Sequence, residues 1–339
     1  MEEIGLADNV KLIIKENVLA VICDSALKVV SSAYFNGGNK QVKTLLNIGV
    51  PEGYSDLSLH LDPLQLITSS AVKLGLTKDY LAMVTAAKIQ NFSLVSKKAE
   101  GFSVSVAATA GCQHGESSGE EMDVQEIKGT INIIVLIDGN PLDSCMVATL
   151  ITATEAKSAA LRDFDVRSRY TGDSATGSVT DSVTVASTCR GKPIILGGPP
   201  SKLGKAVGHC VRQAVSEALL KQEPFWGCRS VLDRLKERHL PLEKLATEVS
   251  KVESLAVTPE DLAKILKKNS STLASLLAAA KMDDDYKKNL RPTDLPDWET
   301  ASKAFRDERP NLPEYSAVDL PPFIKAALIK IVKSTLNKA

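Results

Sequence analysis

The 339-residue sequence has no excess of either charge, because 41 basic and 41 acidic side chains cancel. A chain with no net field has no electrostatic reason to gather on nucleic acid or on an anionic membrane, so neither is expected as a partner. It has no CxxC pair. Its six cysteines, at 23, 112, 145, 189, 210 and 228, are scattered, which suits reduced thiols better than a disulfide framework or a zinc site. It has no apolar run approaching the roughly 18 residues that would suggest a membrane helix. Its first residues are broken by Lys11, Lys15 and Glu16, unlike a secretory leader. A cytoplasmic location is therefore expected. Nor is there a repeat of about 20 to 50 residues, which excludes a solenoid.

What is present is an ordinary globular composition, 44% apolar and 24% charged, with two textures. Up to about residue 225, short β-branched runs alternate with glycine-rich turns. VKLIIKENVLAVICD and ALKVVSSAYFNGG read as a strand meander, and VKTLLNIGV, YLAMVTAA, FSVSVAATAG and DSVTVAST as further strands. TINIIVLID, apolar on both faces, reads as a buried central strand. Helices are expected over DPLQLITSSAVKLGL, with Asp62 as cap, over 141–164 with Asn140 as cap and Pro141 in the first turn, and from Ser201 to about Leu220. The irregular alternation implies an α+β fold, a layered mixed β-sheet domain with packed helices (1–225), followed by an all-helical extension (226–339). In the extension, helices are expected at 229–238, 241–255, 259–280 and 320–336, with proline-rich joints between them. The last is amphipathic and is expected to pack onto the main domain. KMDDDYKK reads as a solvated charge run.

The helix over 141–164 holds an anomaly. On a wheel its apolar stripe is Leu142, Met146, Leu150, Leu161 and Phe164, and Lys157 lies inside that stripe with Thr154 beside it. Glu155 is turned by roughly 160° from Lys157. A buried lysine is costly to desolvate unless it is paired or lines a cavity; the alternative is a stem that snorkels past the core edge. The loop SRYTGDSATGSVTDSVTVA, residues 168–186, is rich in glycine and hydroxyls and ends at Asp181. Small residues of this kind let backbone amides approach a ligand. TAGCQHGESSGE (109–120) has the same character and holds Cys112 and His114. A cysteine–histidine nucleophile there, or a metal at His60 and Asp62, lacks supporting ligands. GGPPSKLGKA departs from phosphate-loop spacing, with Ala206 where Ser or Thr is needed.

SSAYFNGG, LLNIGVPEGY, VTAA, ATAG, GTINIIVLID, TATEAKSAAL and ATGSVTDSVTVA, in this order over roughly residues 20–220, resemble the adenosylcobinamide amidohydrolases, the CbiZ type. The chain departs from that pattern at Ser178-Val179 and at Cys112-Gln113-His114. The resemblance implies hydrolysis of the amide between the aminopropanol arm and the corrin propionate, giving adenosylcobyric acid in corrinoid salvage. Its partner is a small corrinoid, whose cobalt belongs to the substrate; no cofactor and no metal are required, and a homo-oligomer stays open. Alternatives are a non-catalytic corrinoid-binding protein or an amidohydrolase of another small amide. Mapped onto the matching motifs, Lys157, Asp181, Thr176 and Glu155 are the catalytic candidates. Asp181 or Glu155 would activate water, Lys157 would act on Thr176 or orient Asp181, and the hydroxyls and backbone amides of 175–180 would hold the oxyanion. Substrate-binding candidates are Gly37, Gly38, Asn47, Thr109, Gly111, His114, Asn132, Thr154, Gly177 and Thr180.

Overall fold

In the computed structural model, residues 2–51, 63–113, 115–121, 129–253, 257–268, 270–290 and 320–336 are described. The chain divides into two compact units, 1–170 with 174–228, and 171–173 with 229–339.

The first unit is built on a curled mixed sheet. Its strands are β1 (Glu2–Ala7), β2 (Val10–Lys15), β3 (Val18–Ser31), β4 (Gly38–Gly49), β5 (Tyr80–Thr85), β6 (Ser93–Ala99), β7 (Phe102–Gly111), β8 (Thr130–Asp138) and β10 (Ser182–Ser187). β2 and β3 meet at a two-residue turn in which Glu16 and Asn17 both take positive φ, the geometry a tight hairpin needs. The expected meander differs at β3, which is one 14-residue strand rather than two. Its pairing with β4 slips between Ile22 and Leu27. Before the slip β3 also pairs with β2, and after it with β10. This irregularity lets one sheet fold over itself.

Two layers result. In the space between them, Leu12, Leu19, Val21, Leu45, Leu81 and Met83 meet Ala107, Ile134, Leu136 and Ala186. Outside the first layer, α1 (Leu64–Lys73) lays Leu66, Ile67 and Ala71 on β3–β5. Outside the second, α2 (Asp143–Asp163) and α3 (Lys202–Gln222) cover Val104, Val106, Ile131, Ile133, Val135 and Ile137. β8 is the central strand its composition implied, antiparallel to β7 and parallel to β10. Each fully buried Ile or Leu contributes about 1.5–3 kcal/mol, so TINIIVLID anchors both cores.

Two helix starts differ from expectation. Asn140 and Pro141 form a short strand, β9, paired with β11 (Pro193–Ile194), and α2 begins only after Leu142. Backbone pairing to a distant segment outweighed a local capping signal. The α1 cap expected at Asp62 lies outside the described residues. α3 starts as expected: Ser201 Oγ accepts from Gly204 N at 2.9 Å. A Cβ on Gly204 would sit 1.9 Å from Gly198 O, so the glycines of GGPPSKLG serve a tight helix entry.

The second unit has its own core. α4 (Val231–Lys236), α5 (Leu242–Glu253), α6 (Pro259–Lys267), α7 (Ser270–Lys287) and α8 (Pro322–Leu336) gather Leu235, Leu245, Leu262, Leu266, Leu276, Ile324, Leu328 and Val332. The helix expected over 259–280 is two. The final helix contributes Ile324, Leu328 and Val332 to this unit's own core. The acidic run is not wholly solvated either: Asp283 is 3% exposed and accepts the N–H groups of Phe323 and Ile324, both at 2.9 Å. A helix start offers unbonded amides, and that draws a carboxylate inward. Among the described residues no helix is long and apolar enough to cross a membrane.

Candidate active site

Lys157 is buried on α2, and its Nζ lies against Asp181 Oδ2. Asp181 immediately precedes β10 and is held from every side. Its Oδ1 accepts from Ile131 N at 3.1 Å and Ser178 Oγ at 2.5 Å, and its Oδ2 accepts from Ser178 N at 3.1 Å as well as from Lys157. Removing one member of a buried pair like this costs about 3–5 kcal/mol. Gly177 makes the approach possible. A Cβ there would lie 2.4 Å from Asp181 Oδ2 and 2.8 Å from Lys157 Nζ.

The loop bearing Gly177 is pinned from both sides. Thr176 N and Gly177 N donate to Glu116 O at 2.9 and 3.2 Å, Glu116 N donates to Gly177 O at 3.0 Å, and Ser158 Oγ donates to Thr176 O at 2.9 Å. Thr176 Oγ1 accepts from Ser118 N at 2.9 Å. The expectation that Lys157 acts on Thr176 is therefore corrected, because the threonine hydroxyl serves the 115–121 loop and the lysine serves Asp181. Of the expected oxyanion donors, the amides of 175–178 are already engaged. Ala175 N is bonded to Val166 O, and the amides of 176, 177 and 178 are used internally.

Thr154, expected beside Lys157 on the buried side, is corrected, while Glu155 faces away from Lys157 as the wheel placed it. Both are exposed, and they line a groove of about 580 Å³ between α2 and α3 with Arg162, Lys205 and Arg212. Thr154 Oγ1 bonds back to Leu150 O at 3.0 Å. The buried arc of α2 includes Thr149, Thr152, Ala153, Ala156 and Ala160, small residues that an apolar stripe drawn through large side chains overlooks. With them the arc centres away from Thr154, and Lys157 sits near its edge.

Between the sheet layers a second polar group forms. Asn132 Nδ2 donates to Asn47 Oδ1 at 2.8 Å and to Val84 O at 2.9 Å. Asn47 Nδ2 donates to Thr109 Oγ1 at 2.9 Å, which reaches Thr85 Oγ1 at 3.5 Å. Asn132 Oδ1 is buried with no hydrogen-bond partner among the described residues, a state that costs about 1–3 kcal/mol. At the same strand ends Thr180 Oγ1 meets Thr130 Oγ1 at 2.9 Å, and Gly111 pairs with Thr130. Gly37 and Gly38 are explained by their turn: a Cβ on Gly37 would sit 2.2 Å from Ala33 O, and Gly38 has φ +84°. His114, His60 and Asp62 lie outside the described residues.

Three further groups stand near this pair, of which the sequence had offered only Cys112, as a nucleophile. Cys112 is fully buried with Sγ 3.8 Å from Gly177 O; burial, then the charges of Asp181 and Glu223, push its thiol well up, which opposes a thiolate nucleophile. Glu223, after α3, accepts from Cys112 N, Gln113 N and Trp226 Nε1, and so ties the end of β7 to that helix. Burial raises its carboxyl. Glu116 is the third: burial raises its carboxyl, the charge of Arg169 opposes that, and its Oε1 accepts no hydrogen bond from the described residues. The signal for Glu116 was its place in the glycine-rich loop beside Cys112.

The family model for adenosylcobinamide amidohydrolase matches residues 3–225. The chain belongs to the adenosylcobinamide amidohydrolase family. The match takes in the whole sheet with Lys157, Gly177, Asp181 and Asn132, so these side chains sit in the amidohydrolase part of the chain. The chain is 27% identical over 196 residues to the adenosylcobinamide amidohydrolase of Methanosarcina mazei, covering 56% of this chain and 85% of that protein. It is 28% identical over 207 residues to an uncharacterised protein of Methanocaldococcus jannaschii, covering 55% and 80%. Among solved structures it resembles a Burkholderia β-aminopeptidase (TM-score 0.36, 10% identity, 61% and 80% covered). It also resembles an L-aminopeptidase D-Ala-esterase/amidase of Ochrobactrum anthropi (TM-score 0.31, 9% identity, 63% and 84% covered).

Proposed function

We propose that this amidohydrolase cleaves the amide joining the aminopropanol arm of adenosylcobinamide to the corrin propionate. Water supplies hydroxyl to the acyl carbon and hydrogen to the amine, so the products are adenosylcobyric acid and aminopropanol. The reading makes the chain a corrinoid-salvage enzyme of the cytoplasm. In this reading no bound cofactor takes part, and the cobalt arrives with the substrate. The observation that supports it is the Lys157–Asp181 pair closed around Gly177 within the family-matched region.

In this mechanism Asp181, whose oxygens already receive four donors, orients rather than abstracts a proton. It holds Lys157 in place, and the ammonium hydrogens not spent on Asp181 stabilise the tetrahedral oxyanion. Glu116, whose carboxyl is raised by burial, carries the proton to the departing amine. The test incubates the full chain with adenosylcobinamide and measures adenosylcobyric acid and aminopropanol. Wild type forms both, and Lys157→Ala and Asp181→Ala lose roughly 100-fold or more in kcat, the scale of a lost transition-state donor. Tight corrinoid binding without aminopropanol release would sink the reaction. Unchanged turnover in both variants would sink the site.

A further inference from the structure

Asp181 has no acceptor place left over. A carboxylate offers about four lone-pair sites, two on each oxygen. Ile131 N and Ser178 Oγ take those of Oδ1, and Ser178 N and Lys157 Nζ take those of Oδ2. Two of the four donors therefore come from one residue. Ser178 and Asp181 stand on either side of the turn at 179–180, and Ser178 gives its amide to one oxygen and its hydroxyl to the other.

The two donors differ in what depends on them. The amide belongs to the backbone and holds the turn whatever side chain stands at 178. The hydroxyl fills the second place on Oδ1, 2.5 Å away. Were that place empty, Lys157 could take it, because an ammonium carries three hydrogens and Nζ already lies against Oδ2 of the same carboxylate. Gly177 puts no side chain in the way of such a shift. A cation gripping both oxygens would spend two hydrogens on Asp181 and keep one.

We infer that Ser178 is a positioning residue for the reaction: by occupying Oδ1 it confines the Lys157 ammonium to Oδ2 and keeps two of the three ammonium hydrogens for the oxyanion. The inference rests on the amidohydrolase reading above and deepens it. Ser178 acts through Asp181 and then Lys157, without touching the substrate. Loss of its hydroxyl therefore weakens the transition state and leaves ground-state binding intact.

The experiment measures steady-state release of aminopropanol from adenosylcobinamide by the full chain. Ser178→Ala lowers kcat and kcat/KM together by about 10- to 100-fold with KM unchanged, a part of what losing a transition-state donor outright costs. Ser178→Thr, which puts the hydroxyl back, recovers most of the wild-type kcat. Ser178→Cys keeps the size but offers only a weak donor; it falls with Ser178→Ala and serves where that variant does not fold. A loss carried by KM alone, a wild-type kcat without the hydroxyl, or a threonine variant as slow as the alanine one overturns the inference and leaves the amidohydrolase reading standing. A wild-type chain inert on adenosylcobinamide overturns the reading and the inference with it.

Discussion

Asp181 in the sheet unit and Asp283 in the helical unit are both nearly buried carboxylates, and both take two backbone N–H groups or a backbone and a side-chain set. Asp283 accepts from Phe323 N and Ile324 N, and burial outweighs those bonds, pushing its carboxyl up to about 6. Asp181 receives two backbone amides, the Ser178 hydroxyl and, in addition, an ammonium. Hydrogen bonds from a helix start suffice to seat a carboxylate, whereas a full cation gives a charged couple that can act on something else. The same residue type is a cap in one unit and half of a site in the other, and the difference is Lys157.

The hardest way to break this comparison is to remove that lysine. Lys157→Ala leaves Asp181 buried without its cation and is expected to lower unfolding stability by about 3–5 kcal/mol, read by urea denaturation. The double variant Lys157→Met with Asp181→Asn removes both charges, so it should recover most of that stability while remaining inactive. Gly177→Ala attacks the same pair through space alone: its Cβ would collide with Asp181 and Lys157, and a loss of about 1–3 kcal/mol is expected, with reduced turnover.

Asp283 sharpens the other half of the comparison through pH. Its folded carboxyl lies above the unfolded one, so the folded helical unit binds the proton more tightly. Stability is then greatest below about pH 4 and falls as pH rises through about 6, by about 3 kcal/mol in total. Asp283→Asn should flatten that slope in denaturation curves collected across the window, and an unchanged slope would contradict the assignment. The smallest effect is expected at the end of the asparagine row. Thr109→Val removes the hydroxyl that Asn47 donates to, costing about 1 kcal/mol by the same denaturation measurement.

The sequence carried more of this than its average composition promised. TINIIVLID is apolar on alternate and intervening positions alike, and that pattern suits only a strand covered on both faces. Lys157 stood out because a lysine in an apolar stripe needs a partner. Thr154 was harder, since the wheel was centred on large side chains while α2 buries its alanines and threonines. Asn140-Pro141 carried a helix-start signal that pairing with Pro193–Ile194 overrode. The acidic run in α7 looked solvated because nothing in the local sequence announces the arrival of a helix start some 40 residues later.

By itself, then, the sequence determined the alternation of strands and helices, the central strand, the switch to a helical second unit and the need of Lys157 for a partner. Each of these follows from periodicity or from the cost of burying charge, which are properties of neighbours along the chain. Only the tertiary structure decided that the partner is Asp181 rather than Thr176, that Gly177 must lack a side chain between them, and that Asn132 keeps an acceptor empty. Those are facts of distance between segments dozens of residues apart. They exist only once the sheet has folded over itself and brought the ends of β7, β8 and β10 together.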